Sequence, residues 1–134
     1  RDIRASDNIE ALIENGRDPD FLKATRFDAL HGLVDLMEAA SANLGRTRAP
    51  TLLLYGQNDQ IIRPGPTLRA LERAGSPPNL RTGFYPDGWH LLNRDFQRQR
   101  VFDDVAAWLR DPSAPLPSGA GGVAEGIRGM RRSR

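Results

Sequence analysis

The sequence contains no cysteine and only two histidines, His31 and His90, and both features exclude kinds of site. Without cysteine there can be no disulfide and no thiolate metal site. Two histidines so far apart are too few for a zinc or iron site built on imidazole. We therefore expect no metal in this chain.

The chain is also poor in lysine and in long apolar runs. Lys23 is its only lysine, and no apolar run is long enough to cross a bilayer. The whole chain has a net charge of +2. Residues 111–134 alone also have a net charge of +2, because they contain four arginines and two acidic residues, Asp111 and Glu125. Residues 1–110 are therefore neutral, so we expect neither a nucleic-acid partner nor an integral membrane segment.

With 134 residues the chain is one domain at most, and it begins with Arg1 rather than methionine. It shows no signal peptide, although an N-terminal address preceding Arg1 would be invisible here. We expect it to be part of a longer protein.

The first 45 residues have helix signals and no strand signal. Residues 7–15 predict a short helix capped by Asp7, and Asp18 with Pro19 predicts another helix start. Apolar residues then recur at helical spacing in a third segment, at Phe27, Leu30, Val34 and Met37.

The pattern changes at Pro50. Residues 51–56 form a short continuous apolar run closed by Gly56, which is typical of a strand buried on both faces of a parallel sheet. A helix over residues 66–75, a strand over 80–85 and a helix from about 94 to 110 follow. Strand, helix, strand and helix in this order predict a parallel α/β sheet.

Two parallel strands need neighbours, because sheets usually carry about four to six strands. The predicted fold is therefore an incomplete α/β fold. Residues 111–134 are rich in proline, glycine, serine and alanine, and we expect them to be a disordered tail.

Two polar residues lie just past the carboxyl ends of the predicted strands. Asp59 follows the first strand in Y-G-Q-N-D, and His90 follows the second in Y-P-D-G-W-H. Sites in open parallel sheets form at this edge, and a carboxylate that orients an imidazole makes a general base. Alternatively, Asp59 closes a turn and His90 caps the next helix.

Two other residues compete for these roles. Asp87 is a rival acid, although Pro86-Asp87-Gly88 is typical of a turn. His31 lies beside Gly32 within the helical pattern, where a packed or semi-exposed cap residue is the favoured interpretation.

The segments P-T-L-L-L-Y-G-Q-N-D-Q-I-I-R-P, F-Y-P-D-G-W-H-L-L-N-R-D and V-F-D-D-V-A-A-W-L resemble the C-terminal part of an α/β-hydrolase. The similarity is to the monoacylglycerol lipase, lysophospholipase and serine aminopeptidase-like group, and residues 17–40 resemble its helical cap. The resemblance implies that Asp59 is the acid and His90 the base of a catalytic triad. It also implies a cap over residues 1–48 and the end of the hydrolase core over 49–110, with no cofactor.

The nucleophile of such a triad is missing, because no G-x-S-x-G motif occurs in the sequence. We therefore expect the serine, with the N-terminal half of the core, to precede Arg1. The implied activity is hydrolysis of small lipid-like carboxylic esters, such as monoacylglycerols or lysophospholipids, with the isolated chain inactive.

Two alternatives stay open on the sequence alone. The first is that the chain is a non-catalytic fragment that acts, if at all, as an interaction module. The second is that it is part of a serine peptidase of the same fold.

Overall fold

The structure is a computed structural model that describes residues 3–132. Five α-helices, two β-strands and one 3-10 turn are present in this range. In chain order they are α1 (Ile9–Arg17), α2 (Phe27–Asn43), the 3-10 turn (Leu44–Arg46), β1 (Thr51–Gly56), α3 (Pro64–Ala74), β2 (Leu80–Tyr85), α4 (Arg98–Arg110) and α5 (Val123–Arg132).

The predicted parallel pair of strands is confirmed. β1 and β2 pair in parallel, in register from Thr51 opposite Leu80 to Gly56 opposite Tyr85. Helix α3 connects them, and it ends at Gly75, whose positive φ of 72° suits glycine. The sheet has two strands within residues 3–132, so the architecture is consistent with a partial α/β fold.

The core lies on one face of this sheet. The rings of Tyr55 and Phe84 stack there, with centroids 6.4 Å apart. Helices α3 and α5 cover the two rings with four buried aliphatic side chains, Leu68, Leu71, Val123 and Ile127. Because side chains alternate along a strand, Tyr85 points to the opposite face, where its hydroxyl donates to the buried Asp104 of α4 at 2.6 Å.

The prediction of a disordered tail over residues 111–134 is wrong for the part that the structure describes. Val123 and Ile127 in α5 are fully buried, and Leu116 is buried as well. The Phe84 N–H donates to the Gly121 carbonyl oxygen at 2.9 Å, so the segment before α5 occupies the outer edge of β2. Val123 and Ile127 are four residues apart, which places them on one face of a helix, but the glycine-rich composition around them led to the prediction of disorder. Residues 133 and 134 lie outside the described range.

Three predicted helix boundaries differ from the structure. The cap of α1 is Asn8, whose side chain accepts from the Ala11 N–H, rather than Asp7. No helix starts at Pro19, because Asp18 ends α1 and its carboxylate accepts the Asp20 N–H in a turn. Helix α4 begins at Arg98 rather than near Arg94, because the preceding residues form turns.

Helix α2 confirms the helical pattern, but its apolar side chains are exposed. Phe27 is 91% exposed, and Leu30, Leu33, Val34 and Met37 are each about half exposed. Within residues 3–132 these side chains are thus not buried against the core. No helix in this part of the chain is both long and apolar enough to cross a membrane.

Candidate active site

The loop after β1 fixes the Asp59 carboxylate. Its Oδ1 atom accepts the backbone N–H groups of Ile61 and Ile62, each at 2.8 Å. The Tyr55 hydroxyl donates to the Ile62 carbonyl oxygen at 2.7 Å, which ties this loop to the end of β1. The Asp59 side chain is only 7% exposed. A carboxylate held in this way has one oxygen, Oδ2, left to face another group.

The loop after β2 approaches the Asp59 loop backbone to backbone. The Asn58 N–H donates to the Gly88 carbonyl oxygen at 2.9 Å. A Cβ atom at Gly56 would lie 2.5 Å from that same oxygen, so glycine is required at the end of β1. A Cβ at Gly88 would lie 3.1 Å from the Gly56 Cα. The two loops can therefore meet because both contact positions lack side chains.

The structure brings the two candidate residues together. His90 Nδ1 lies 2.9 Å from Asp59 Oδ2, across 31 residues of sequence. Since an ionised carboxylate can only accept, this contact places the proton on Nδ1. The His90 side chain is 31% exposed. Its Nε2 atom is thus the ring nitrogen available to a reacting group at the surface of the site.

This arrangement has a definite chemical capacity. An imidazole whose Nδ1–H donates to a buried carboxylate presents an unprotonated Nε2, which can accept a proton from a hydroxyl group or a water. The carboxylate then stabilises the imidazolium that forms. The pair can therefore act as a general base in a nucleophilic displacement.

The competing residues lie elsewhere. Asp87 is exposed in the turn that follows β2, and the carboxylate that contacts His90 is that of Asp59. His31 lies in the middle of α2, where its Nδ1 is 3.2 Å from Asp35 Oδ2 one helical turn away. The His31 side chain is 80% exposed, so it is neither packed nor a helix cap.

None of the serines in residues 3–132 has a hydrogen bond to His90. Ser6 donates to Asp95, Ser113 to Asp111, Ser118 to Asp104, and Ser41 accepts from Arg73. Ser76 lies in the loop that leads to β2. In the same part of the chain no group of three or more His, Cys, Asp or Glu side chains could hold a metal ion.

Sequence reasoning missed two buried carboxylates near the site. Asp95 is 3% exposed and accepts both the Ser6 hydroxyl and the Trp89 N–H, at 2.6 and 2.8 Å. Asp104 is fully buried between Tyr85 and Ser118. Asp104 could have been found, because it follows the buried Val101 by three residues on one face of α4. For Asp95 the sequence carries no such signal, since Ser6 lies 89 residues away and Trp89 contributes only a backbone N–H.

Comparison with known proteins bears on the whole arrangement. The model of the family described as serine aminopeptidase, S33, matches residues 3–97, which is well over half of the chain and includes both Asp59 and His90. No solved structure matches the chain significantly. The family is one of α/β-hydrolases, in agreement with the parallel strands and their connecting helix. The chain therefore belongs to the serine aminopeptidase S33 family of the α/β-hydrolase superfamily.

Proposed function

We propose that Asp59 and His90 are the acid and the base of a Ser-His-Asp triad that hydrolyses carboxylic esters. The observation that carries this proposal is the 2.9 Å contact between His90 Nδ1 and Asp59 Oδ2 at the carboxyl edge of two parallel strands. The burial of Asp59 supports it, because water competes little for the bond that orients the imidazole.

The nucleophilic serine of the proposed triad lies outside these 134 residues. This part of the proposal rests on the absence of a G-x-S-x-G motif from the sequence. It is supported by the partners of the serines described above, which are residues other than His90.

The proposed reaction has two steps. His90 Nε2 removes the proton of the serine hydroxyl as its oxygen attacks the acyl carbon, and the imidazolium then protonates the leaving alcohol. In the second step His90 takes a proton from water as the water attacks the acyl-enzyme, and the imidazolium then returns a proton to the serine oxygen as the acid is released. Asp59 holds the ring in the required tautomer throughout both steps.

The proposed substrate is a small lipid-like ester, such as a monoacylglycerol or a lysophospholipid. Its support is the exposed apolar surface of α2, formed by Phe27, Leu30, Leu33 and Met37. An acyl chain placed against these side chains would remove apolar surface from water, at about 25 cal/mol per Å². A peptide amide is the second candidate, because the description of the matching family names an aminopeptidase.

Turnover by the gene product that carries this sequence, tagged at its own locus and purified, tests the proposal. We expect hydrolysis of a medium-chain monoacylglycerol, little hydrolysis of an aminoacyl anilide, and loss of ester turnover in His90→Ala. Asp87→Ala is the matched control, because it removes an exposed side chain from the same loop. Equal ester turnover in His90→Ala and the unchanged protein would refute the proposed role of His90.

A further inference from the structure

The peptide groups on both sides of His90 are held by hydrogen bonds. The Trp89 N–H donates to Asp95 Oδ2 at 2.8 Å. The Leu91 N–H donates to the Ala5 carbonyl oxygen at 2.8 Å. The backbone that carries the imidazole is thus fixed immediately before it by Asp95, from the far end of the same loop, and immediately after it by Ala5, from the N-terminal segment.

Three consecutive residues, Ser6, Asp7 and Asn8, bind the far end of the same loop. The Ser6 hydroxyl donates to Asp95 Oδ1 at 2.6 Å. The Asp7 carboxylate accepts the Phe96 N–H at 3.0 Å, and the Asn8 side chain donates to the Arg94 carbonyl oxygen at 3.0 Å. In two of these contacts, those of Asp7 and Asn8, a side chain forms a hydrogen bond with a backbone group of the loop.

The same N-terminal stretch also reaches the loop that carries the acid. The Arg4 N–H donates to the Gln60 side-chain oxygen at 3.1 Å, next to Asp59. Residues 4–8, which we call the clasp, therefore touch both loops of the candidate site. Helix α1 begins at Ile9, directly after the clasp.

We propose that Asp95 is a positioning residue that, together with the clasp, holds the backbone of His90 so that its Nδ1–H points at Asp59. The inference rests on the proposed catalytic role of His90. It goes beyond that role because it assigns Asp95 and Ser6 a function in positioning His90.

The chemistry of Asp95 suits this task. Its carboxylate is 3% exposed and accepts two hydrogen bonds, one from the backbone next to His90 and one from the clasp. Because the acceptor of the Trp89 N–H is a buried carboxylate, loss of this bond is unfavourable and the Trp89 peptide is restrained. Burial raises the pKa of Asp95, and the Ser6 hydroxyl and the Trp89 N–H oppose that rise.

Asp95 also lies in the turns that precede helix α4. The Arg98 N–H donates to the Asp95 carbonyl oxygen at 3.0 Å, while the side chain of Asp95 turns back to Trp89. The Asp95 carboxylate thus accepts from the residue before His90, while the Asp95 carbonyl oxygen accepts from Arg98, the first residue of α4.

Nuclear magnetic resonance on the full gene product tests the inference without any need for turnover. Long-range proton–nitrogen correlation spectra at a pH where imidazole is neutral report the tautomer of each histidine. His31 is the internal reference, because its side chain is 80% exposed. Hydrogen exchange of the Trp89 and Leu91 amides reports whether their peptides are held.

Four variants separate the contributions. We expect Asp95→Ala to mix the tautomers of His90 and to speed Trp89 exchange at least about tenfold. Asp95→Asn retains an acceptor for the Trp89 N–H, so it should restore the unchanged pattern in large part. Asp59→Asn should alter the tautomer but leave Trp89 exchange unchanged, and Asp87→Ala should alter neither.

Retention of the Nδ1–H tautomer and of slow Trp89 exchange in Asp95→Ala would overturn the inference. If exchange in β1 and β2 shows that this variant is unfolded, Ser6→Ala decides, because it removes only the two hydrogen bonds of one hydroxyl, to Asp95 and from the Asn8 N–H. We expect Ser6→Ala to speed Trp89 exchange at least about threefold, and no change there would equally overturn the inference. Neither result depends on whether the protein hydrolyses esters, so the two proposals can fail separately.

Discussion

The Nδ1 atom of His90 lies 2.9 Å from Oδ2 of Asp59, while the other carboxylate oxygen of Asp59 accepts two backbone N–H groups. The carboxylate is thus held from one side and presents its second oxygen to the imidazole. Because Asp59 is almost fully buried, this contact is shielded from water.

Replacement of Asp59 by asparagine should lower kcat strongly in the full gene product. The amide presents a donor where Nδ1–H needs an acceptor, so the imidazole is driven towards the tautomer with its proton on Nε2. We expect kcat to fall by about 10⁴-fold, with KM much less affected. Steady-state kinetics on a monoacylglycerol ester measure this, with Asp103→Asn on the exposed surface of α4 as control. A loss of less than tenfold would contradict the role given to Asp59.

The isolated 134-residue chain should not turn over esters. It contains the proposed acid and base but no G-x-S-x-G motif. We expect its rate on a chromogenic short-chain ester to equal that of its His90→Ala variant. A clear excess over that variant would mean that a nucleophile is present within the chain, and the proposed position of the serine would then be wrong.

The contact between α5 and β2 predicts opposite effects of two glycine substitutions on one helix. A Cβ at Gly126 would lie 2.3 Å from the Phe84 ring, whereas a Cβ at Gly129 would meet no atom within 4 Å. Gly126→Ala should lower the free energy of unfolding by about 1–3 kcal/mol. Gly129→Ala should raise it by about 0.5–1 kcal/mol through helix propensity.

Chemical denaturation of both glycine variants measures these changes. Equal effects would mean that α5 does not pack against Phe84. The comparison therefore also tests whether residues 123–132 are folded in solution, since a disordered segment would be insensitive to either substitution.

Both tyrosines should resist ionisation at alkaline pH. Burial, and secondarily the charge of Asp59, raises the pKa of Tyr55 to about 12. Burial and the hydrogen bond to Asp104 raise the pKa of Tyr85 as well. An exposed tyrosine is half ionised at about pH 10, so the ultraviolet absorbance of the folded protein at that pH should show little phenolate.

The pKa shifts also set the sign of the pH dependence of stability. From about pH 10 the unfolded chain loses tyrosine protons that the folded chain retains, so the free energy of unfolding falls as pH rises towards 12. The same titration in denaturant is the control, with an expected midpoint near 10. Half-ionisation near pH 10 with a native circular dichroism spectrum would contradict the burial of the two rings.

The strands and the candidate pair could be predicted from the sequence because the signals are local. Residues 51–56 are continuously apolar and end at glycine, and Pro86-Asp87-Gly88 marks the end of the second strand. Two parallel strands bring their carboxyl ends to one edge, so the loops of Asp59 and His90 had to be neighbours. Their 2.9 Å contact agrees with that expectation.

The clasp could not be predicted, because its partners lie 56 to 89 residues away in the chain. Asp7 was expected to cap α1, but its carboxylate accepts the Phe96 N–H instead, and Asn8 takes over the cap. For Asp7, a tertiary contact thus takes the place of the expected local one. The folded tail was missed for a related reason. Val123 and Ile127 are core residues only because they pack on the face of the sheet that carries Phe84, and this contact is not visible in the local sequence.

The most direct test of the central claim is labelling by a fluorophosphonate probe, which reacts with activated serines. The tagged gene product would be treated in extracts of cells that carry either the unchanged locus or His90→Ala. The account predicts labelling of the unchanged protein alone, at a serine in a G-x-S-x-G sequence outside these 134 residues. Labelling that persists in His90→Ala, or that falls on a serine within this sequence, would contradict it.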